Sequence, residues 1–264
     1  MSDEVLVQCM DSIATVTMNR PEKLNALTTA GFIELTNTLR QLALDDAAAV
    51  VIVTGAGRAF CAGGDVSSMA ADAEFTEPTL EGRAQTLRQA MDCTRILHDM
   101  PKPTIAMVRG AAAGAGLSIA LSCDLRIASA NARFVTAFKE VAYSGDFGGS
   151  YFLTKLVGPS KARELYFLSE RLDAERALKL GIANIVVAEA NLDAETRAIA
   201  ARLAAGPRIA YRYMKRNLNA AETLGLAEVM DLEAWHHTRC GMTADHLEGA
   251  RAFVEKRKAE FKSR

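Results

Sequence analysis

The sequence predicts an α/β fold with mostly parallel strand pairing, followed by a helical C-terminal region. The apolar, β-branched segment at residues 50–54 is typical of a strand buried on both faces of a sheet, and residues 104–108 form the next predicted strand. Amphipathic segments with helical periodicity alternate with such strands, which favours parallel connections. From about residue 191 onward only helical patterns recur. We therefore expect a core over residues 1–195 and a helical region over residues 196–264.

The N-terminal elements follow from short local patterns. Residues 5–8 and 14–18 are β-rich and flank an Asp-Ser pair, which predicts a hairpin. A loop containing Pro21 comes next. Thr28 is a typical residue at the start of a helix, and apolar residues then recur at helical spacing to about Leu44.

The middle of the chain alternates between glycine-rich loops, helices and strands. Residues 55–65 form a glycine-rich loop after a predicted strand, and residues 80–99 have the pattern of a helix that ends before two prolines. A second glycine-rich segment at residues 110–116 leads into a short apolar helix at residues 117–122. Residues 124–128 are the next predicted strand.

Composition excludes several classes of protein. The 264 residues carry a formal net charge of −1, so the electrostatic footprint of a nucleic-acid-binding protein is missing. No stretch approaches the roughly 20 apolar residues that span a bilayer, so no membrane partner is expected. Five separate cysteines without a CxxC pair, and four histidines without metal-ligand spacing, predict neither disulfides nor a metal site. A reducing, cytoplasmic location fits this cysteine usage.

Six segments follow one another along the chain: NRPEKLNA (19–26), GRAFCAGGD (57–65), PKPTIA (101–106), GAAAGAG (110–116), CD (123–124) and LVG (156–158). In this order they resemble the crotonase superfamily, also called the enoyl-CoA hydratase/isomerase family. The C-terminal segment at residues 248–257 is similar to the family's last helix. The resemblance implies a crotonase-like spiral of ββα units, a C-terminal helical trimerisation region, acyl-CoA substrates, and a homotrimer or a hexamer built as a dimer of trimers.

The family pattern implies an oxyanion hole made by the backbone N–H groups of Gly64 and Ala115. Removal of a proton beside a thioester carbonyl places negative charge on its oxygen, which two aimed N–H donors can stabilise. Ala115 also precedes a helix, whose N-terminal dipole favours an anion. The alternative is that both glycine-rich segments are only tight turns.

The resemblance also implies a set of coenzyme A and acyl contacts. Coenzyme A enters as part of the substrate, and no separate cofactor is expected. Lys23 and Lys256 can instead be ordinary exposed lysines, and Asp65 can cap the helix that follows it. At the nucleotide end of coenzyme A the implied contacts are Lys23, Leu24 and Ala26, together with Ala62, Asp65 and Val66 beside them. Phe138 is implied near the acyl group. Phe253 and Lys256 are implied to reach the nucleotide bound to a neighbouring subunit.

The sequence departs from the family's hydratases at the two catalytic glutamates. Ser118 and Phe138 stand at the matching positions, and neither is a useful acid or base near neutral pH. The segment AYSGDFGG at residues 142–149 resembles the place where isomerase branches of the family carry a catalytic aspartate, here Asp146. A double-bond shift needs only one base, so we predict an enoyl-CoA isomerase-type enzyme.

Other interpretations stay open. Asp146 could pair with Glu140, or with an acid from a lid at residues 72–81, in a hydratase with a non-standard acid–base pair. Asp146 could also cap the helix predicted at residues 148–157, or act as a nucleophile as in the family's aryl-CoA dehalogenases. A non-catalytic acyl-CoA-binding or RNA-binding homologue is a further alternative, and salt-sensitive RNA affinity would identify the latter.

Overall fold

The computed structural model describes residues 4–67 and 77–262, and all structural statements below concern these ranges. Its strands are β1 (Val5–Met10), β2 (Ile13–Met18), β3 (Val50–Gly55), β4 (Thr104–Val108), β5 (Ala111–Ala113), β6 (Leu125–Ser129), β7 (Arg133–Val135), β8 (Leu172–Asp173) and β9 (Ile185–Val187). Its helices are α1 (Thr29–Leu44), α2 (Leu80–Ala90), α3 (Asp92–Asp99), α4 (Ala115–Ser122), α5 (Gly149–Leu168), α6 (Ala174–Lys179), α7 (Leu192–Ala204), α8 (Arg208–Ala221), α9 (Leu226–Gly241) and α10 (Ala244–Val254). Short 3-10 turns cover Pro21–Lys23, Phe138–Val141 and Glu189–Asn191.

The described strands form two sheets. The larger sheet has the order β1-β2-β3-β4-β6-β9, in which the β1–β2 hairpin is antiparallel and the other pairs are parallel. The smaller sheet has the order β5-β7-β8, with β5 and β7 parallel. The prediction of an α/β fold with mostly parallel pairing is therefore confirmed.

Helices cover the sheet on both sides and create two apolar cores. One core joins α1, α3, α4 and α5 to one face of the large sheet. The other lies under α7, where Leu192 and Ala200 pack with Val50 and Ile52 of β3. Because β3 is buried on both faces, its side chains form the continuous apolar run that the sequence shows.

Two helices differ from their predicted extent. The helix predicted over residues 80–99 is divided at Met91 into α2 and α3. The helix predicted near residues 148–157 runs on to Leu168, although Gly158 has φ 77° and ψ 163° and Pro159 follows it. The non-helical backbone at Gly158 marks a kink, because proline cannot donate the backbone hydrogen bond that a continuous helix requires.

The C-terminal third is helical, as predicted. The predicted division between residues 195 and 196 falls inside α7, which packs on the large sheet; the division itself stays a prediction. Lys215 of α8 is buried and donates to the carbonyl oxygens of Leu97 (2.7 Å) and Lys102 (3.3 Å) and to Asp124 Oδ2 (2.9 Å). None of the helices in the described ranges is both long and apolar enough to cross a bilayer.

Candidate active site

The two glycine-rich loops lie side by side. The loop after β3 forms an isolated parallel bridge from Cys61 to Ala112 of β5, in which Ala113 N donates to Cys61 O at 2.9 Å. A Cβ atom on Gly116 would lie only 2.3 Å from Cys61 O, so no larger residue fits there without a shift. Gly116 thus allows the start of α4 to rest directly on the first loop.

Gly64 occupies a second isolated bridge, with Leu27. Leu27 N donates to Gly63 O at 2.9 Å, and Asp65 N donates to Leu27 O at 3.1 Å. In this parallel pattern the bonds to Leu27 come from the neighbours of Gly64, so the N–H of Gly64 faces away from Leu27. A Cβ built on Gly63, whose φ is +101°, would lie 3.5 Å from Ala115 N. The backbone segments that carry the two predicted donors are therefore in contact.

Ala115 is the first residue of α4, a helix whose eight residues are all buried. The N-cap is Gly114, with φ 52° and ψ −125°, a conformation that a side chain would strain. The first N–H groups of a helix have no partner within it, and the helix dipole favours an anion there. The local geometry at Ala115 is suited to an oxyanion, and its assignment as a donor stays a prediction.

Ser118 connects the backbone of Asp146 to Gly114, the N-cap residue of α4. Ser118 Oγ lies 3.3 Å from Gly114 O and 3.2 Å from Asp146 O, and its side chain is buried. Gly149 N also donates to Asp146 O at 3.0 Å. Ser118 therefore holds the backbone of the predicted acid next to the predicted oxyanion loop.

The Tyr166 ring lies near the segment that carries Asp146. The Asp146 Oδ1 atom is shielded from solvent. The Tyr166 ring of α5 stacks on Phe138 with centroids 5.8 Å apart and planes 15° apart. Burial, and then the charge of Asp146, raise the pKa of Tyr166 above its ordinary value. Phe138 is buried, and its ring is the stacking partner of Tyr166.

The residues predicted for the nucleotide end of coenzyme A fall on two adjoining loops. Ala62 N donates to Leu24 O at 3.0 Å, and Lys23 Nζ donates to Ser67 Oγ at 3.3 Å. Ala26 is buried beside them, whereas Val66 is exposed. The structure brings these six positions together, including Asp65, and their contact with a ligand stays a prediction.

Asp65 has the structural role considered as its alternative. Its Oδ1 accepts from Ser67 N at 3.0 Å and Ser67 Oγ at 2.6 Å, as a helix-capping aspartate does, and its Oδ2 accepts from Arg20 at 3.0 Å. The Ser67 hydroxyl contact, followed by the Arg20 side chain, holds the pKa of Asp65 below its usual value against the opposing effect of burial.

Other candidates lie away from this cluster. Glu140 is exposed and forms a surface ion pair with Lys139 at 3.4 Å. Phe147, the residue after Asp146, is buried in the core against Phe32, with centroids 4.4 Å apart. Residues 72–76, half of the acidic lid predicted at residues 72–81, lie outside the described residues. Phe253 and Lys256 are exposed at the end of α10, and their contact with a neighbouring subunit stays a prediction.

Cysteine and metal chemistry find no support in the site. All five cysteines are free thiols. Burial raises the pKa of both Cys61 and Cys123 to about 12, so neither is a ready nucleophile. Among the described residues, no group of three or more His, Cys, Asp or Glu side chains could hold a metal ion.

Tyr166 is the site residue that sequence reasoning missed. It lies on α5, 20 residues beyond Asp146, and no motif marks it. Only the packing of α4 and α5 against the 138–146 segment brings it to the acid. An aromatic residue at helical spacing is otherwise a typical core residue.

Comparisons with known proteins agree with this geometry. The family model described as Enoyl-CoA hydratase/isomerase matches residues 8–264. The 1,2-epoxyphenylacetyl-CoA isomerase of Escherichia coli is 34% identical over 261 residues, covering 99% of both chains. The short-chain-enoyl-CoA hydratase of Clostridium acetobutylicum is 34% identical over 264 residues, again covering 99% of both. A crystal structure of an enoyl-CoA hydratase from Polaromonas sp. JS666 superposes with a TM-score of 0.91 at 31% identity, covering 98% of this chain and 99% of that one. The fold, the adjoining glycine-rich loops and these relatives show that the chain belongs to the crotonase superfamily, the enoyl-CoA hydratase/isomerase family.

Proposed function

We propose that this acyl-CoA-processing family member shifts a double bond in an enoyl-CoA thioester, with Asp146 as the single proton carrier. The observation that carries the proposal is the pair of contacts made by Ser118 Oγ. It lies within hydrogen-bond distance of Gly114 O, next to the predicted donor Ala115, and of Asp146 O. One small side chain therefore joins the predicted acid to the predicted oxyanion hole.

The chemistry needs one base and one anion site. The Asp146 carboxylate removes a proton from the carbon beside the thioester carbonyl, or from the γ-carbon of a conjugated enoyl thioester. The electron pair of the broken C–H bond moves toward the carbonyl oxygen, which becomes an enolate. The N–H groups of Gly64 and Ala115 hold that enolate oxygen; loss of one such donor typically costs about 3–4 kcal/mol of transition-state stabilisation. The carboxylic acid then returns the proton to a different carbon, which moves the double bond.

The environment of the acid supports isomerisation over hydration. Hydration needs an acid–base pair that activates water and delivers a proton. Ser118 and Phe138 replace the hydratase glutamates, and the stacked ring of Tyr166 lies against Phe138. Glu140, the other candidate partner, is exposed and paired with Lys139. The name of the Escherichia coli relative agrees with an isomerase, whereas that of the Clostridium acetobutylicum relative agrees with the hydratase alternative.

Substrate binding in this proposal uses the adjoining loops and a second chain. The nucleotide end of coenzyme A contacts six residues of these loops: Lys23, Leu24, Ala26, Ala62, Asp65 and Val66. Phe253 and Lys256 reach the nucleotide bound to a neighbouring subunit of a trimer or hexamer. Exposed apolar side chains on the C-terminal helices, among them Leu226, Trp235 and Phe253, support such an assembly.

The test is a panel of enoyl-, dienoyl- and aryl-CoA thioesters incubated with the enzyme in heavy water. We expect the substrate to take up deuterium beside the carbonyl or at the γ-carbon. The rate of this uptake should fall more than about 100-fold in Asp146→Asn. Calorimetry should show that this variant still binds CoA ligands. Glu140→Gln is the matched control and should keep its activity, because its carboxylate lies at the surface.

Two outcomes would reject the proposal. An Asp146→Asn variant with most of its activity would remove the acid assignment. Hydration of crotonyl-CoA by the wild type, seen as loss of the conjugated thioester absorbance, together with loss of that activity in Glu140→Gln, would favour the hydratase alternative.

A further inference from the structure

The Tyr166 hydroxyl is buried and has no hydrogen-bond partner among the described residues. A buried donor without a partner costs about 1–3 kcal/mol, and in a native structure it calls for an explanation. The ring is held by its stacking on Phe138. A rigidly placed donor with a free proton is therefore present inside the candidate site.

The hydroxyl lies against the backbone on both sides of Asp146. A Cβ built on Gly145 would be 3.0 Å from Tyr166 Cε1 and 3.5 Å from its hydroxyl oxygen. A Cβ built on Gly149 would be 2.8 Å from the same oxygen and 2.3 Å from Ser118 Oγ. The two glycines thus allow the phenol to approach the acid-bearing segment more closely than any other residue would permit.

The electrostatic surroundings keep this phenol neutral. Burial and the charge of Asp146 both raise the pKa of Tyr166, so the hydroxyl keeps its proton over the working pH range. Two ion pairs lie on the elements that adjoin the Tyr166 ring. Lys139 pairs with Glu140 on the adjoining turn, and Lys161 pairs with Glu164 on α5 itself. From α4, Ser118 contributes a hydroxyl and no charge.

We propose that Tyr166 is a positioning residue whose hydroxyl donates a hydrogen bond to the Asp146 carboxylate in the substrate complex. This inference rests on the proposed function of Asp146. Catalytic hydrogen bonds are often long before a ligand binds and tighten in the complex. The bond directs the carboxylate toward the carbon that loses its proton, and the phenol keeps its own proton throughout.

The test is Tyr166→Phe, which keeps the stacked ring and removes only the hydroxyl. A hydrogen bond to a carboxylate favours its ionised form, so losing the bond makes the carboxyl group harder to ionise. We expect the acid limb of the kcat profile, which reports groups in the substrate complex, to move to higher pH by about one pH unit. We also expect kcat at pH 7 to fall about 10-fold with KM nearly unchanged. Tyr151→Phe is the matched control on the same helix, because its exposed hydroxyl donates to Glu222 at 2.6 Å and lies outside the site. It should leave the profile unchanged.

A second measurement does not depend on turnover. In protein labelled with 13C-aspartate, the carboxyl resonance of Asp146 is identified by its absence from Asp146→Asn. Its chemical shift is then followed as a function of pH in the presence of saturating hexanoyl-CoA, a thioester without a double bond. Titration at higher pH in Tyr166→Phe than in the wild type supports the hydrogen bond, even if the proposed isomerisation fails. Titration at the same pH in both, or a fall in kcat without movement of the acid limb, overturns it.

Discussion

Ser118 Oγ lies 3.2 Å from the backbone carbonyl oxygen of Asp146, a residue 28 positions further along the chain. Ser118 Oγ also lies 3.3 Å from the carbonyl oxygen of Gly114. A serine hydroxyl has one proton to share between these two acceptors. The contact with Asp146 therefore connects α4, whose first residue is the predicted oxyanion donor Ala115, to the loop that carries the predicted acid.

Replacing Ser118 by alanine should therefore impair positioning more than folding. A neutral hydrogen bond contributes about 1 kcal/mol net, which corresponds to roughly a 5-fold fall in kcat if it is lost from the transition state. Ser122→Ala is the matched control, since Ser122 is buried on the same helix but donates to Ile119 O at 2.8 Å. Steady-state kinetics and thermal unfolding of both variants check this; equal falls in kcat would mean that the Asp146 contact has no special role.

Gly116→Ala should push α4 away from the first glycine-rich loop. The added methyl group would lie 2.3 Å from Cys61 O, and relief of such overpacking typically costs about 1–3 kcal/mol. We expect a lower Tm and weaker acyl-CoA binding. Gly241→Ala, at a helical position where a Cβ meets no atom within 4 Å, should be neutral or slightly stabilising. Unfolding and calorimetry measure both effects, and an unchanged Gly116→Ala protein would contradict the close approach.

Lys215→Met should destabilise the attachment of α8 to the core. The buried ammonium group bonds two carbonyl oxygens and Asp124, and removing one partner of a buried pair typically costs about 3–5 kcal/mol. Urea unfolding measures the loss. In Lys179→Met an exposed ion pair with Glu175 is removed instead, and the change should stay below about 0.5 kcal/mol. Similar losses in the two variants would show that Lys215 is not an anchor.

The stabilising effect of Asp65 should depend on pH. Its hydrogen bonds from Ser67 and Arg20 lower its pKa in the folded state, so its carboxylate stabilises the fold above the unfolded-state pKa of about 4. The effect is lost as pH falls through the lowered folded-state value. Asp65→Asn should cost about 1–3 kcal/mol at pH 7 and progressively less below pH 4. Urea unfolding at several pH values tests this, and a cost that does not change with pH would refute it.

The sequence by itself determined the fold class, most element positions and the two glycine-rich loops. These features are local: a buried parallel strand such as residues 50–54 must be apolar on both faces, and a helix such as α1 must repeat its apolar residues every three to four positions. The segment around Asp146 was likewise recognisable, because it is contiguous in the chain.

Only the tertiary structure decided what surrounds that acid. Phe147, next to Asp146, turns into the core against Phe32, whereas Tyr166, 20 residues away, lies against the backbone on both sides of Asp146. The Ser118 contact depends on the packing of α4 against α5. Periodicity reports which face of an element is buried, but it does not say which distant side chain that face will meet. That pairing is set by how the helices pack once the whole chain has folded.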